Sequence, residues 1–251
     1  MSAGGRAGYA LRCATPRPDA RHRLVCFPYA GGGPHTYRTW DRHLEEAEVW
    51  TIALPGHVGR LDEPFARSLG ELGAVVANEI RTTLDDEAPP VLFGHSMGAW
   101  LAFEVARNLE SAGRRVAALV VSGRSGPGYR ADTDVITHLD DDAFARELDR
   151  RYGGLPAPVL NSPEIMELFL PMLRADIAMM ERYRPTPGRV ACSIHALGGA
   201  DDSSTPREGL AAWASSTASR CATALFPGGH FYLEGAPHAL ISYLAGVLGD
   251  P

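Results

Sequence analysis

The run Val91-Leu92-Phe93-Gly94-His95-Ser96-Met97-Gly98-Ala99-Trp100 holds a serine with one glycine two residues before it and another two after. A hydroxyl in that setting is suited to nucleophilic attack on an acyl group. The apolar residues ahead of it read as a short strand, and Leu101, Phe103, Val105 and Leu109 behind it keep a helical period. A serine on so tight a strand-to-helix turn needs small neighbours, because backbone passes close on both sides, and Gly94 and Gly98 supply that room. The turn aims the Ser96 hydroxyl out of the sheet edge. It also leaves the Met97 N–H at a helix N-terminus, where positive partial charge favours an oxyanion.

Such a nucleophile needs a base, and the base needs an orienting acid. His230 follows an apolar run at 222–226 and stands after Gly228 and Gly229, which allow a tight turn. Its near-neutral pKa lets an imidazole take and return the serine proton. The acid is one of two neighbours, Asp201 and Asp202, since only one can face His230. Reading the turn as Gly199-x-x-Asp202 favours Asp202, whose task would be to fix the imidazole tautomer and stabilise the imidazolium. The other would face solvent or cap the helix near Pro206. A second oxyanion donor is expected in the loop Pro28-Tyr29-Ala30-Gly31-Gly32-Gly33-Pro34, and the Ala30 N–H is the candidate. His57, directly after Pro55-Gly56, is a rival base, although a loop histidine in that position is more often a surface group.

These residues require a scaffold that collects strand ends. Apolar runs predict strands at 23–27, 49–54, 91–93, 116–121, 190–197 and 222–226, with the first twenty residues loose or forming an edge strand. Tyr37, Trp40 and Leu44 are helix-spaced; Leu69, Leu72, Val75, Val76 and Ile80 predict a crossover helix, and 237–248 a final one. The alternation predicts one α/β domain over 1–251, with a mostly parallel central sheet and helices on both faces. Residues 132–184 break the pattern with two helices, at 141–152 and 164–183, and no strand. An insertion of that kind on the ligand side reads as a lid. Within it Met172, Ile177, Met179 and Met180 are candidates for an adaptable apolar wall against an acyl chain, or simply for packing.

The whole chain narrows the partners. With 251 residues, 45% of them hydrophobic, it can bury a full core without staples, and its net charge of -6 argues against nucleic acid or an anionic membrane as the main partner. Cys13, Cys26, Cys192 and Cys221 show no C-x-x-C pairing, so reduced thiols are expected, with no metal site and no disulfide framework. No signal peptide and no spanning segment are visible, and a soluble cytoplasmic protein is the expectation.

The chain order Ser96, acid, His230 is that of the α/β-hydrolase triad, so an α/β-hydrolase is the expected fold. Beyond this, the chain resembles the external (type II) thioesterases of polyketide and nonribosomal-peptide assembly lines. The likeness rests on Phe27-Pro28-Tyr29-Ala30-Gly31-Gly32, Leu54-Pro55-Gly56, Gly94-His95-Ser96-Met97-Gly98-Ala99, Leu173-Arg174-Ala175-Asp176 and Phe226-Pro227-Gly228-Gly229-His230-Phe231. The family's acid usually stands in a Gly-x-x-Asp turn eleven residues before a tryptophan, which matches Asp202 and Trp213. In two places the chain departs from the pattern: Tyr29 stands where histidine is usual, and His57 where arginine is usual.

The resemblance implies an acyl thioester carried on the phosphopantetheine arm of an acyl or peptidyl carrier protein. It implies an editing role, in which aberrant acyl groups are removed, and no metal or organic cofactor. A chain-releasing or fatty-acid-type thioesterase, a small-molecule carboxylesterase and a non-catalytic α/β-hydrolase that binds a carrier or a small ligand are the alternatives. Arg60, Arg124 and Arg130 are arginines that could meet an acidic carrier.

Overall fold

Alternate residues of a strand point to opposite faces of a sheet, and here both faces are apolar. Val25, Phe27, Leu92, Leu119, Val121, Ile194 and Ala196 belong to one buried cluster, while Leu24, Cys26, Val91, Phe93, Ala118, Val120 and Leu197 belong to another. Strands buried on both sides are what a helix-covered parallel sheet requires. The computed structural model describes residues 10–85, 87–129, 134–153, 163–185, 187–234 and 237–249, and in it the sheet has seven strands. They are β1 (Leu11–Cys13), β2 (His22–Phe27), β3 (Ala47–Ile52), β4 (Val91–His95), β5 (Ala118–Ser122), β6 (Ser193–Gly199) and β7 (Cys221–Phe226), in the order β1-β3-β2-β4-β5-β6-β7. Only the edge strand β1 is antiparallel.

Helices α1 (Leu69–Thr83) and α2 (Met97–Ser111) contribute to the first cluster, and the terminal helix, α6 (His238–Gly249), contributes Leu240, Leu244 and Leu248 to the second. Between β5 and β6 lie α3 (Asp141–Tyr152) and α4 (Pro163–Arg182), followed after β6 by the short α5 (Arg207–Ala211). Asp140 caps α3 by accepting from the Ala143 N–H at 2.8 Å, and its acidic first turn and basic last turn both suit the helix dipole. Phe144 and Leu148 of α3 and Leu170 and Leu173 of α4 join the first cluster. No helix among the described residues is long and apolar enough to cross a membrane.

The topology places the site. From β2 the chain steps one way to β3, then returns to lay β4 on the other side of β2 and runs outward to β7. The crevice at such a reversal, at the carboxyl ends of the strands, is where open α/β sheets bind ligands. Here it falls between β2 and β4, where Phe27 pairs with Gly94, so the loop after β2 and the Ser96 turn become neighbours.

Two expectations change. Tyr37, Trp40 and Leu44 lie not on an α-helix but around two short 3₁₀ helices, Pro34–Tyr37 and Trp40–Arg42. The three-residue step brings the Tyr37 and Trp40 rings to 4.9 Å, and the Tyr37 hydroxyl donates to the Phe27 carbonyl at 2.9 Å. The strand expected from residue 190 begins at Ser193, because the Ala191 and Cys192 N–H groups donate to the Glu110 carboxylate instead. Val190 retains a single isolated bridge to Thr217.

Candidate active site

Ser96 has φ 53° and ψ −116°, and among the described residues it is the one non-glycine with positive φ. Such a conformation costs on the order of 1–3 kcal/mol and persists only where the surroundings enforce it. The enforcement is visible on both sides: a Cβ on Gly94 would sit 2.0 Å from the Gly98 carbonyl oxygen, and one on Gly98 would sit 2.2 Å from that of Phe27. The Ser96 N–H is tied to the Ser122 carbonyl at 2.8 Å.

The end of β6 and the loop after β7 are equally close. A Cβ on Gly199 would lie 2.1 Å from the Gly229 carbonyl oxygen, and the Asp201 N–H donates to the Gly228 carbonyl at 2.9 Å. This lacing leaves Asp201 exposed and turns Asp202 inward, 8% exposed. His230 Nδ1 donates to Asp202 Oδ2 at 2.8 Å, and Ser204 gives the other carboxylate oxygen two bonds, from its N–H at 2.9 Å and its hydroxyl at 2.6 Å. Burial pushes the Asp202 carboxyl up, but the bond and charge of His230 and the Ser204 donors outweigh it and hold the group at about 2. For His230, burial pushes the imidazole down and the neighbouring Arg124 cation pushes the same way; Asp202 pulls it back only in part, so the ring lies below its ordinary value. The resting pair is a carboxylate and a neutral imidazole with Nδ1 protonated, which leaves Nε2 able to accept a proton.

Three neighbours of these residues, Arg124, Tyr152 and His95, were assigned no part in the triad by the sequence pattern. Arg124, at the carboxyl end of β5, donates from Nη2 to Ser96 Oγ at 2.9 Å. Its guanidinium lies 4.9 Å from the Trp100 ring and 5.7 Å from that of Tyr152, and its carbonyl accepts from Trp213 Nε1 at 2.7 Å. Tyr152, from the end of α3, in turn stands 4.9 Å from the His230 ring. His95 packs 4.9 Å from His230 and contacts Ser122 Oγ at 2.9 Å, with the Tyr232 hydroxyl 2.7 Å further on; burial and the adjacent His230 keep it neutral. The one available signal was position, since Arg124 directly follows a strand end and its glycine. Of the other two arginines, Arg60 is turned inward onto Glu63 and the Ala53 carbonyl, and Arg130 lies outside the described residues.

In the loop after β2, Gly31 donates its N–H to Asp176 Oδ2 of α4 at 2.8 Å, and the same oxygen meets His57 Nε2 at 2.9 Å. His57 is thus an ion-pair partner of α4, while the histidine that pairs with an acid on the β6 loop is His230. Among the described residues neither the Ala30 nor the Met97 N–H donates to a protein acceptor. The methionines divide: Met172, beside Leu173, lies against Gly31, whereas Ile177, Met179 and Met180 are part of the first core cluster. Ser96 and His230 are 6% and 4% exposed, so the site is covered. Cys13, Cys26 and Cys192 are buried and all four thiols are unpaired.

A thioesterase-domain family model matches residues 22–246. The chain is 39% identical to the probable cadicidin biosynthesis thioesterase of Streptomyces griseus over 89% of its own length and 61% of that protein's. It is 34% identical to the gramicidin S biosynthesis protein GrsT of Aneurinibacillus migulanus, covering 90% of this chain and 88% of that one. Among solved structures, the type II thioesterase BorB from the borrelidin biosynthetic cluster superposes with a TM-score of 0.84 at 33% identity, over 95% of this chain and 97% of its own.

Proposed function

The chain belongs to the thioesterase family, with type II thioesterases of polyketide and nonribosomal-peptide pathways as its structural kin, and on that premise we propose that it hydrolyses acyl thioesters borne on carrier-protein phosphopantetheine. The observation that carries the mechanism is the buried His230–Asp202 pair, 2.8 Å apart, at the sheet edge where Ser96 is held at positive φ. Ser96 Oγ attacks the thioester carbonyl while its proton passes to His230 Nε2, and Asp202 stabilises the imidazolium. The Ala30 and Met97 N–H groups receive the oxyanion. The C–S bond then breaks, and the proton held by His230 accompanies the thiol out. A thiol of pKa about 8 to 9 leaves far more readily than an amine, so peptidase-like activation is not needed. Water, deprotonated by the same imidazole, cleaves the Ser96 ester and restores the enzyme.

The helices α3 and α4 serve as a lid over this site, and of the four lid residues Met172 is the one set to touch the acyl chain, since it adjoins the loop of Ala30. Ile177, Met179 and Met180 shape that wall from behind. Editing of aberrant acyl groups, in the cytoplasm and in partnership with an acyl or peptidyl carrier protein, is the role this chemistry suits. The test is hydrolysis of acyl groups loaded on a phosphopantetheinylated carrier, wild type beside Ser96→Ala. Turnover by the wild type and a loss of at least about a thousandfold in the variant are expected. Cleavage of oxygen esters alone would make the protein a carboxylesterase, and half-activity in Ser96→Ala would remove the nucleophile assignment.

A further inference from the structure

Asp176 and His57 form a buried pair outside the triad, 1% and 2% exposed. Asp176 reaches down from α4, and its Oδ2 accepts both the Gly31 N–H and His57 Nε2. The other ring nitrogen of His57, Nδ1, faces the Pro55 carbonyl at 3.1 Å. A carboxylate oxygen and a carbonyl oxygen can only accept, so both ring nitrogens must carry hydrogen when both bonds are made. The geometry therefore describes an imidazolium. The charged groups around it are Asp176 from α4 and Arg60 from its own loop, with Glu63 closing on the Arg60 guanidinium, while the Phe65 ring stands edge-on at 6.3 Å.

Gly31 directly follows Ala30, and the two cannot move independently. Its φ is +78°, and a Cβ there would meet Leu173 Cδ2 of α4 at 2.5 Å, so α4 packs on this loop as well as bonding to it. One carboxylate thus ties together the lid helix, the loop after β2 and the loop after β3.

We propose that Asp176 is the positioning residue of the oxyanion loop, and that the proton on His57 decides whether Asp176 holds that loop in place. The proposal rests on the reading of the Ala30 N–H as an oxyanion donor. When His57 loses its second proton, one N–H remains for two acceptors, and either the Pro55 carbonyl or the buried Asp176 anion is left short. Burial pulls the His57 imidazole down and the Arg60 cation pushes the same way, but the bond and charge of Asp176 together with the bond to the Pro55 carbonyl more than reverse this, so the ring lies above its ordinary value. A group raised in this way tightens the structure below its unfolded pKa and releases it as pH rises through the folded one. Two histidines then bound the working range: His230 must be neutral to act as base, and His57 must be charged to hold the oxyanion loop.

The experiment is a profile of kcat and KM between about pH 5 and 9 with a small acyl thioester, on wild type, His57→Arg, His57→Gln and Asp176→Asn. The wild type is expected to lose kcat on the alkaline side through one ionisation. His57→Arg, whose charge does not titrate in this range, keeps the acid limb and loses the alkaline one. His57→Gln and Asp176→Asn lower kcat by about tenfold or more with KM little changed, since a transition-state contact is misplaced and substrate binding is not. An NMR titration of the wild-type His57 ring gives a readout independent of how the variants fold, and its midpoint should coincide with the alkaline limb. A His57 that is neutral near pH 7, an alkaline limb that persists in His57→Arg, or a wild type with no such limb overturns the proposal. Should Ser96→Ala be inactive while the His57 and Asp176 variants keep the wild-type kcat profile, the clamp alone fails and the thioesterase reading stands.

Discussion

Arg124 Nη2 stands 2.9 Å from Ser96 Oγ and donates a hydrogen bond to it. The hydroxyl oxygen therefore has one lone pair engaged and its own proton still to give, and the cation that engages it stands close enough to His230 to lower the affinity of that ring for a proton. Trp100, Tyr152 and the Trp213 bond to its carbonyl keep the side chain in place.

Removing the Arg124 charge should make His230 easier to protonate. Arg124→Met is expected to move the acid limb of the kcat/KM profile to higher pH, and kcat at low pH should fall more than kcat near pH 8. A pH-rate profile on a small thioester measures this, and an unmoved acid limb would show that Arg124 does not act on the base.

Asp202 and Asp201 are adjacent, but only the first reaches His230. Asp202→Asn should lower kcat by roughly 10³ to 10⁴, because an amide cannot hold the imidazole in the tautomer that leaves Nε2 free to accept. Asp201→Asn, an exposed change, should leave turnover near wild type. Steady-state rates on one acyl substrate decide between them, and a reversal of the two outcomes would move the acid to Asp201.

The Asp202 carboxyl, held at about 2, is a depressed group, so its contribution to stability is present above the ordinary carboxylate range and is lost as pH falls towards 2. The shift corresponds to roughly 2 kcal/mol. Urea unfolding at several pH values should show wild-type stability falling across that window, and in Asp202→Asn this part of the slope should vanish. Equal slopes in the two proteins would mean the carboxylate is no better placed folded than unfolded.

A methyl group on Gly98 would stand 2.2 Å from the Phe27 carbonyl oxygen, which belongs to backbone and cannot swing aside. Gly98→Ala is expected to cost about 4 kcal/mol or prevent folding, whereas Gly113→Ala, with open space but a φ of +77°, should cost about 1 kcal/mol. Denaturant midpoints compare them, and a Gly98→Ala protein of wild-type stability would contradict the close approach of α2 to β2.

The sequence by itself determined the elements and the chemistry that lies within one turn of backbone. Gly94 and Gly98 announced the Ser96 turn because local sterics admit little else there, and the apolar runs at 23–27 and 91–93 announced strands because strands buried on both faces are largely apolar. Element limits were less legible, as at residues 190–192, where Glu110 of a distant helix captures the N–H groups of Ala191 and Cys192 that a strand would have used. Only the tertiary structure decided that Asp202 faces inward, that Arg124 reaches the serine, that Tyr152 covers His230, and that Asp176 and His57 clamp the loop of Ala30. Periodicity reports what a residue does to its own segment. Which remote side chains share a carboxylate is set by the order of strands in the sheet and by how the inserted helices close over their ends.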